Sequence, residues 1–474
     1  MWTKRLSRPI PPLFESMVDT GIFSWSAFAL GFPFRFSARK LVGNEIFYKT
    51  DELQQLKELL TKHILQDPCY LNRFAVRCWA QSVLLELVTR HLRYTYIKEN
   101  NVIDSSTVLD GRNLVKLQRL WASFVSQFTR TAPFLAIFPA ALDDVLWELR
   151  PSLLTMPAPS VESFGRRLQT YSALESAAYG EILTDVRQWR NLIDPNDAAI
   201  LEVSAFPSAL VSQLESYVRN FGWLHLNYFT GQPLTLSDVL QRISEDQNDP
   251  LPTTYEPLED LTIVDLLGKV RAFRKDCMEL AGFYMRPIFR AIADAGTIDH
   301  ADLLYLTAEE VANYLDRGSN DLRDAIARRN RYVSVIMENG RITIQTSDFP
   351  EVRESSSESE CLAGFIGSSG QWEGTARVLQ DSLQSSLVQR GDVLIVHVLT
   401  PDYVVAYDRA GAVVTDEAGL TSHAVRVSRE RQIPCLVGTM EATRVFRDGD
   451  RVFIDATGSE RGTIRRVHEM QDRR

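Results

Sequence analysis

The sequence predicts a multidomain protein with a mainly α-helical N-terminal and central region, followed by a C-terminal α/β domain. Apolar residues recur at helical spacing between about Glu52 and Arg317. After about Gly364, short β-branched runs and an Asp-Gly turn dominate instead. A polar run rich in serine and glutamate, residues 351–360, separates the two regions. These three observations together define the fold class.

Residues 1–257 are predicted to be a helical region, on the strength of two apolar stripes that we expect to face a core. The first stripe contains Val76, Trp79, Ala80, Val83, Leu84 and Leu87. The second contains Leu117, Leu120, Trp121, Phe124, Val125 and Phe128. We take this region as the candidate acceptor-binding region. Core and surface roles are nevertheless favoured for the aromatic and basic residues that a pocket would use, which are Trp25, Trp223, Arg271, Arg274 and Arg286.

Residues 258–350 are predicted to be a helical segment followed by a hairpin. Thr307 and Glu310 have the spacing of a capping box at the start of a helix, and Gly318 is placed to end that helix. The Asn339-Gly340 pair lies between two β-branched runs, which is a strong hairpin signal.

Residues 351–363 are predicted to be a linker that acts as a hinge, because the run is polar and lacks residues that could form a core. The alternative is an ordinary surface loop. Residues 364–470 are predicted to form the compact α/β domain. Within it, 391–396 fits a buried strand, and the Asp448-Gly449 turn leads into a final strand.

Composition excludes several classes of function. The net charge of −9 and the pI near 5.5 argue against a nucleic-acid partner, because binding a phosphate backbone needs a concentrated basic surface. No apolar run is long enough to span a membrane, and the N-terminus lacks the apolar core of a signal peptide. The five cysteines are scattered and include no C-x-x-C pair. We therefore expect a cytoplasmic protein without a nucleic-acid or membrane partner.

One stretch, residues 415–434, has a spacing that implies chemistry. Gly419 allows a tight backbone turn close to an anion, and Thr421 and Ser422 offer hydroxyl donors. Residues 424–430 contain no helix breaker, so His423 is expected in the first turn of a helix, where the positive end of the helix dipole favours an anion.

This stretch resembles the phosphohistidine loop of the phosphoenolpyruvate (PEP)-utilising enzymes, the family of PEP synthase, pyruvate phosphate dikinase and rifampin phosphotransferase. The resemblance implies that residues 364–470 are a swivelling domain that carries a phosphoryl group on His423. It also implies that Gly419, Thr421 and Ser422 bind the phosphoryl group.

Two positions depart from the family pattern. The chain has Ala418 where the family usually has a second glycine, and Arg426 where the family usually has an apolar residue. Because residues i and i+3 share a helix face, Arg426 either lies beside the phosphoryl group as a clamp or is a solvated side chain.

The resemblance implies a divided phosphotransferase. The chain shows neither a glycine-rich phosphate loop nor a stretch that matches the ATP-grasp domain of the family. We therefore expect no cofactor in this chain, with ATP and Mg on a separate ATP-grasp partner, and a small-molecule phosphoryl acceptor. The alternative is a non-catalytic binding or regulatory protein with a degenerate swivelling domain. A complete antibiotic-inactivating kinase is less favoured, because it would need its own nucleotide domain.

Overall fold

The fold is taken from a computed structural model of the chain. The structure describes residues 1–7, 10–42, 45–100, 111–149, 153, 168–190, 206–226, 229–245, 262–317, 322–329, 332–347, 361–380, 382–400, 403–417, 419–458 and 460–467. The predicted linker and the predicted helix end at Gly318 lie almost entirely outside these residues, and so does Ala418.

The described part of the chain is mostly helical, with a β-rich C-terminal region, as the sequence predicts at this coarse level. The helices in chain order are α1 (Pro12–Leu30), α2 (Thr50–Gln66), α3 (Tyr70–Asn100), α4 (Gly111–Ile137), α5 (Asp143–Glu148), α6 (Tyr171–Arg190), α7 (Ser208–Phe221), α8 (Leu236–Glu245), α9 (Ile263–Gly296), α10 (His300–Leu303), α11 (Ala308–Arg317), α12 (Leu322–Arg329), α13 (Val404–Arg409), α14 (His423–Glu430) and α15 (Ala442–Val445). The strands are β1 (Trp2–Ser7), β2 (Ala38–Val42), β3 (Glu45–Lys49), β4 (Tyr332–Glu338), β5 (Arg341–Ser347), β6 (Cys361–Ser368), β7 (Gly370–Leu379), β8 (Val393–Val396), β9 (Ala412–Thr415), β10 (Cys435–Val437), β11 (Arg451–Ala456) and β12 (Arg461–Arg466).

The chain divides into two compact units. Unit 1 contains residues 1–161, 227–230 and 262–353. Unit 2 contains residues 162–226, 231–261 and 354–474. Unit 2 therefore joins the C-terminal region with helices α6, α7 and α8, which the sequence analysis assigned to the N-terminal region.

Unit 1 is built around the long helix α9, which packs mainly against α3. Helix α9 begins with a capping box in which the Thr262 hydroxyl accepts from the Asp265 amide and the Asp265 carboxylate accepts from the Thr262 amide. The predicted box at Thr307 and Glu310 is also confirmed, since Thr307 Oγ1 accepts from the Glu310 amide at 3.2 Å. No helix in the described ranges is both long enough and apolar enough to cross a bilayer.

The two predicted apolar stripes have different outcomes. The stripe on α4 is confirmed, because Trp121, Phe124 and Phe128 are buried. The stripe on α3 is wrong, since Val76, Ala80, Leu84 and Leu87 lie on its exposed side. Apolar residues occur around most of α3, so spacing alone does not select the face that packs on α9. The buried residues of α3 include Leu71, Phe74, Ala75, Cys78, Ser82 and Leu85.

Unit 1 also contains a five-stranded antiparallel sheet with the order β1-β3-β2-β4-β5. The hairpin predicted at Asn339-Gly340 is confirmed, because Glu338 pairs with Arg341 and both turn residues have positive φ, 50° and 81°. The sequence analysis predicted no strand before residue 258. Strands β1, β2 and β3 are short, and β2 pairs with β4, which lies almost 300 residues later in the chain.

A buried charge cluster joins this sheet to helix α1. Arg39 on β2 donates to both Glu15 and Asp19, with 2.6 Å between its Nη1 and Asp19 Oδ1, and all three side chains are buried. Burial raises the pKa of Asp19 to about 8, because the attraction of Arg39 only partly offsets the loss of water and Glu15 adds repulsion. One arginine cannot neutralise two buried carboxylates, so the folded protein keeps a proton on this pair.

This cluster predicts a pH-dependent stability that Asp19→Asn should remove. Between about pH 4 and pH 8 the unfolded chain has lost the proton that the folded pair keeps. Unfolding therefore releases a proton, and the free energy of unfolding falls as pH rises, by at most about 1.4 kcal/mol per pH unit. We expect Asp19→Asn to gain stability relative to the unmodified protein as pH rises from 5 to 8, measured by urea unfolding. Asp51 is exposed, so the control Asp51→Asn should show no such relative gain. If the free energies of unfolding of Asp19→Asn and the unmodified protein differ by the same amount at every pH, the shared proton is contradicted.

Unit 2 contains a closed barrel with the order β10-β6-β12-β11-β7-β8-β9. Strands β7, β8, β9 and β10 run parallel. Helix α13 lies between β8 and β9, α14 lies between β9 and β10, and α15 follows β10. The predicted strand within 391–396 is confirmed as β8. The strand predicted after Asp448-Gly449 is present as β11, but it is not the final strand, because β12 follows it. Helices α6, α7 and α8 form a second core within the unit, which includes Tyr179, Ile182, Leu183, Leu214, Val239 and Ile243.

Candidate functional site

The site is built where the parallel strands β8, β9 and β10 end. His397 follows β8, Asp416 follows β9 and Gly438 follows β10. The chain leaves β9 through the loop 416–422 and enters α14 at His423. The carboxyl ends of parallel strands commonly bear ligand sites, because the connecting loops and helix N-termini converge there.

The buried Asp416 fixes the start of this loop. Its carboxylate accepts from the Thr439 hydroxyl at 3.2 Å and from the hydroxyl and amide of Thr443, and His397 Nδ1 lies 3.4 Å away. Burial by itself would raise the pKa of Asp416, but the hydrogen bonds from His397 and Thr443 outweigh it and lower the pKa. The carboxylate therefore stays ionised and holds β9 to the start of α15.

The loop then closes in a tight turn ahead of α14. The amide of Ser422 donates to the Gly419 carbonyl at 3.0 Å, and Thr421 is buried inside the turn. The Ser422 hydroxyl accepts from the Val425 amide at 3.3 Å, so Ser422 is the N-cap of the helix. His423 is therefore the first residue of α14, which confirms its predicted place in the first turn, at the end where the helix dipole attracts an anion.

Arg426 holds one side of the His423 ring. Its Nη2 lies 3.0 Å from His423 Nδ1, while its Nη1 donates to Glu430 at 2.9 Å and to Thr170 at 3.3 Å. The interpretation of Arg426 as a solvated side chain is wrong, since only 7% of the residue is exposed. Because a guanidinium can only donate, Nδ1 accepts this hydrogen bond, and a neutral ring then carries its proton on Nε2.

The His423 ring is half-buried, and its Nε2 exposes less than 1 Å² in this conformation. The Tyr407 ring meets it edge-on, with 5.4 Å between the centroids. A phosphoryl group can reach Nε2 only after the ring turns outward or its neighbours shift.

A buried charge network lies beside the ring and joins α8 to the barrel helices. Arg242 donates to Glu175 at 2.7 Å and to Asp408 at 3.1 Å, and it lies 3.6 Å from the centroid of the Tyr179 ring. Asp408 also accepts from Arg431 at the end of α14. Asp408 adjoins Tyr407, so this network supports the residue that packs against His423.

The structure thus brings Gly419, Thr421, Ser422 and Arg426 to the beginning of α14 with His423. The sequence analysis missed Glu430, although its spacing from Arg426 is that of a helical ion pair. It also missed Thr170 and Arg242, whose contacts join residues far apart in the chain. Of the proposed pocket residues, Arg271 donates to Asp143 at 2.7 Å, and Arg274 is buried and donates to the Phe134 carbonyl. Within the described ranges, no group of three or more His, Cys, Asp or Glu side chains has an arrangement suited to a metal ion.

The site thus has a histidine at the N-terminus of a helix that follows a parallel strand of the barrel. Residues 388–458 match the family model described as the PEP-utilising enzyme mobile domain. This chain therefore contains the mobile domain of the PEP-utilising enzymes, and the recognition made from the His423 loop is confirmed.

Named relatives agree with this assignment. The chain is 42% identical to a probable phosphoenolpyruvate synthase of Pyrococcus abyssi over 115 residues, which cover 24% of this chain and 14% of the relative. It is 41% identical to the phosphoenolpyruvate synthase of Pyrococcus furiosus over 116 residues, again 24% of this chain and 14% of the relative. It is 26% identical to an uncharacterized phosphotransferase, YvkC, of Bacillus subtilis over 271 residues, which cover 54% of this chain and 32% of the relative. The matches thus span only a small part of the synthases and about a third of the phosphotransferase.

Proposed function

We propose that this chain is the histidine-bearing component of a phosphotransferase, in which His423 carries a phosphoryl group from a donor to an acceptor. The observation that carries the proposal is the position of His423 on the first turn of α14, inside a mobile domain whose relatives include phosphotransferases and synthases. These relatives support a role in phosphoryl transfer at the level of the family.

The chemistry follows from the ring. Nε2 of the His423 ring gives up its proton to solvent and attacks phosphorus, a nitrogen–phosphorus bond forms, and the bond from phosphorus to the leaving oxygen breaks. The positive end of α14, the turn at Gly419, the hydroxyls of Thr421 and Ser422, and the Arg426 guanidinium would stabilise the bound phosphoryl group. Reversing the step onto an acceptor hydroxyl regenerates the free ring.

The donor and acceptor complete the proposal. We assign the donor to a separate ATP-grasp protein that brings ATP and Mg, and the acceptor to a small molecule bound by the helical region of residues 1–257. The phosphotransferase relative matches over more than half of this chain, which extends the likeness beyond the mobile domain. The alternative, a non-catalytic binding protein, predicts no phosphoryl uptake from any donor.

The test uses two donors. The chain is incubated with γ-labelled ATP and a candidate ATP-grasp protein, and separately with phosphoramidate, a small molecule that donates a phosphoryl group to imidazoles. We expect acid-labile, alkali-stable label in the peptide containing His423 with both donors. Label from phosphoramidate alone would reject that protein as the donor partner, whereas no label at His423 from either donor would contradict the carrier role.

A further inference from the structure

Glu430 is an unusual neighbour for an anion carrier. It lies on α14 seven residues after His423, and its side chain is 4% exposed. Its two carboxylate oxygens are 2.9 and 3.1 Å from Arg426 Nη1, while Arg426 Nη2 is 3.0 Å from His423 Nδ1. His423, Arg426 and Glu430 thus form one row along the helix, with the arginine between the carboxylate and the ring.

The charges of this row do not balance once a phosphoryl group is present. In the empty site the charges of Arg426 and Glu430 cancel. A phosphoryl group on His423 adds about two negative charges next to the same guanidinium. Arg426 can donate to both groups through different nitrogens, but its single positive charge cannot balance the phosphoryl group and the buried Glu430 carboxylate together. A buried carboxylate that loses its compensating charge is costly, by about 3–5 kcal/mol.

We propose that Glu430 is a positioning residue for the carrier: it holds Arg426 against His423 in the empty site, and releases Arg426 to the phosphoryl group by taking up a proton. This inference rests on the proposed carrier role and adds a residue and a proton to it. The proton comes from solvent, and it returns to solvent when the phosphoryl group leaves and Arg426 returns to the carboxylate.

The surroundings of Glu430 favour this exchange. Burial raises the pKa of Glu430 well above its ordinary range, and the charge of Arg431 offsets this only in part. On its own helix Glu430 is faced by Arg426 and Arg431. From other elements, Thr170 contacts Arg426 and Tyr407 contacts His423, and neither carries a charge that would replace the arginine. Arg431 is itself bound to Asp408.

The experiment measures the lifetime of phosphohistidine as a function of pH. Phosphoramidate labels His423: a ring nitrogen forms the new bond to phosphorus, the phosphorus–nitrogen bond of the donor breaks, and ammonia leaves. After removal of the donor, the first-order loss of label from the His423 peptide is followed by mass spectrometry between pH 6 and pH 9. The unmodified protein, Glu430→Gln, Glu430→Asp and Glu373→Gln are compared.

Glu373→Gln is the matched control, because Glu373 lies in the same domain and also pairs with an arginine, Arg451, but is 45% exposed. In the unmodified protein, rising pH strips the proton from Glu430, so that the carboxylate takes Arg426 back and the label loses the stabilisation that Arg426 provides. One proton corresponds to at most about a tenfold change per pH unit. Glu430→Gln cannot reclaim Arg426, so the ratio of its lifetime to that of the unmodified protein should increase with pH. Glu430→Asp and Glu373→Gln should follow the unmodified protein.

The outcomes separate the two proposals. If His423 takes no label in any variant, including the unmodified protein, the carrier role fails. If His423 is labelled but Glu430→Gln has the same pH dependence as the unmodified protein, only the role of Glu430 is overturned. Thermal unfolding of each variant identifies a fold defect. If Glu430→Gln is poorly folded, Glu430→Asp provides the test instead. A phosphohistidine lifetime in Glu430→Asp that does not follow the pH dependence of the unmodified protein would also contradict the proposed proton uptake by Glu430.

Discussion

Replacement of His423 by asparagine is expected to reduce acid-labile phosphoryl label on this chain to background with both donors. Asparagine is similar in size and has a polar side chain, but its amide nitrogen has no lone pair available for attack on phosphorus. The first residue of a helix tolerates this change, and the cap at Ser422 uses the serine side chain rather than the ring. We therefore expect the thermal midpoint to stay close to that of the unmodified protein.

The control for this prediction is His91→Asn, since His91 is exposed on α3 in unit 1. Unselective phosphorylation of accessible imidazoles would mark His91 at least as readily as the half-buried ring of His423. Label that persists in His423→Asn, or label that disappears equally in His91→Asn, would show that the phosphoryl group is carried elsewhere.

The beginning of the site was predictable because its signals are local. The run without helix breakers over residues 424–430 predicts a helix with His423 in its first turn, and α14 begins at His423. The same is true of the Asn339-Gly340 hairpin and of the box at Thr307, since each depends on residues within four positions of one another.

The environment of Arg426 was not predictable in the same way. The sequence left two alternatives for Arg426, a phosphoryl clamp or a solvated side chain. The burial that decides between them involves Thr170, which lies 256 positions away, directly before α6. The prediction of the buried face of α3 failed for a related reason. Apolar residues lie on most sides of that helix, and packing against α9 decides which of them are buried. Local patterns identify elements, whereas contacts between distant segments decide burial and charge pairing.

Replacement of Arg242 by methionine is expected to lower the free energy of unfolding of unit 2 by about 3–5 kcal/mol, the usual cost of removing one partner from a buried ion pair. Arg242 is 6% exposed and is shared by Glu175, Tyr217 and Asp408. Burial, with the negative charge of Glu175 as the next cause, raises the pKa of Tyr217 well above its ordinary range, so its hydroxyl stays protonated and donates to Glu175. Without the arginine, the Glu175 carboxylate remains buried beside the Tyr217 hydroxyl without a compensating charge from Arg242, whereas Asp408 still has Arg431.

The measurement is urea unfolding followed by the fluorescence of Trp223, which is buried in unit 2, with the other tryptophans replaced by phenylalanine in every protein compared. Arg219→Met is the control, because Arg219 is exposed on α7 and the substitution changes the same side chain in the same unit. Adding Glu175→Gln to Arg242→Met removes the stranded charge and should restore a large part of the lost stability, which a simple packing defect would not allow. If Arg242→Met is no less stable than Arg219→Met, the charge network does not hold α8 to the barrel helices, and the support of Tyr407 beside His423 must come from apolar packing instead.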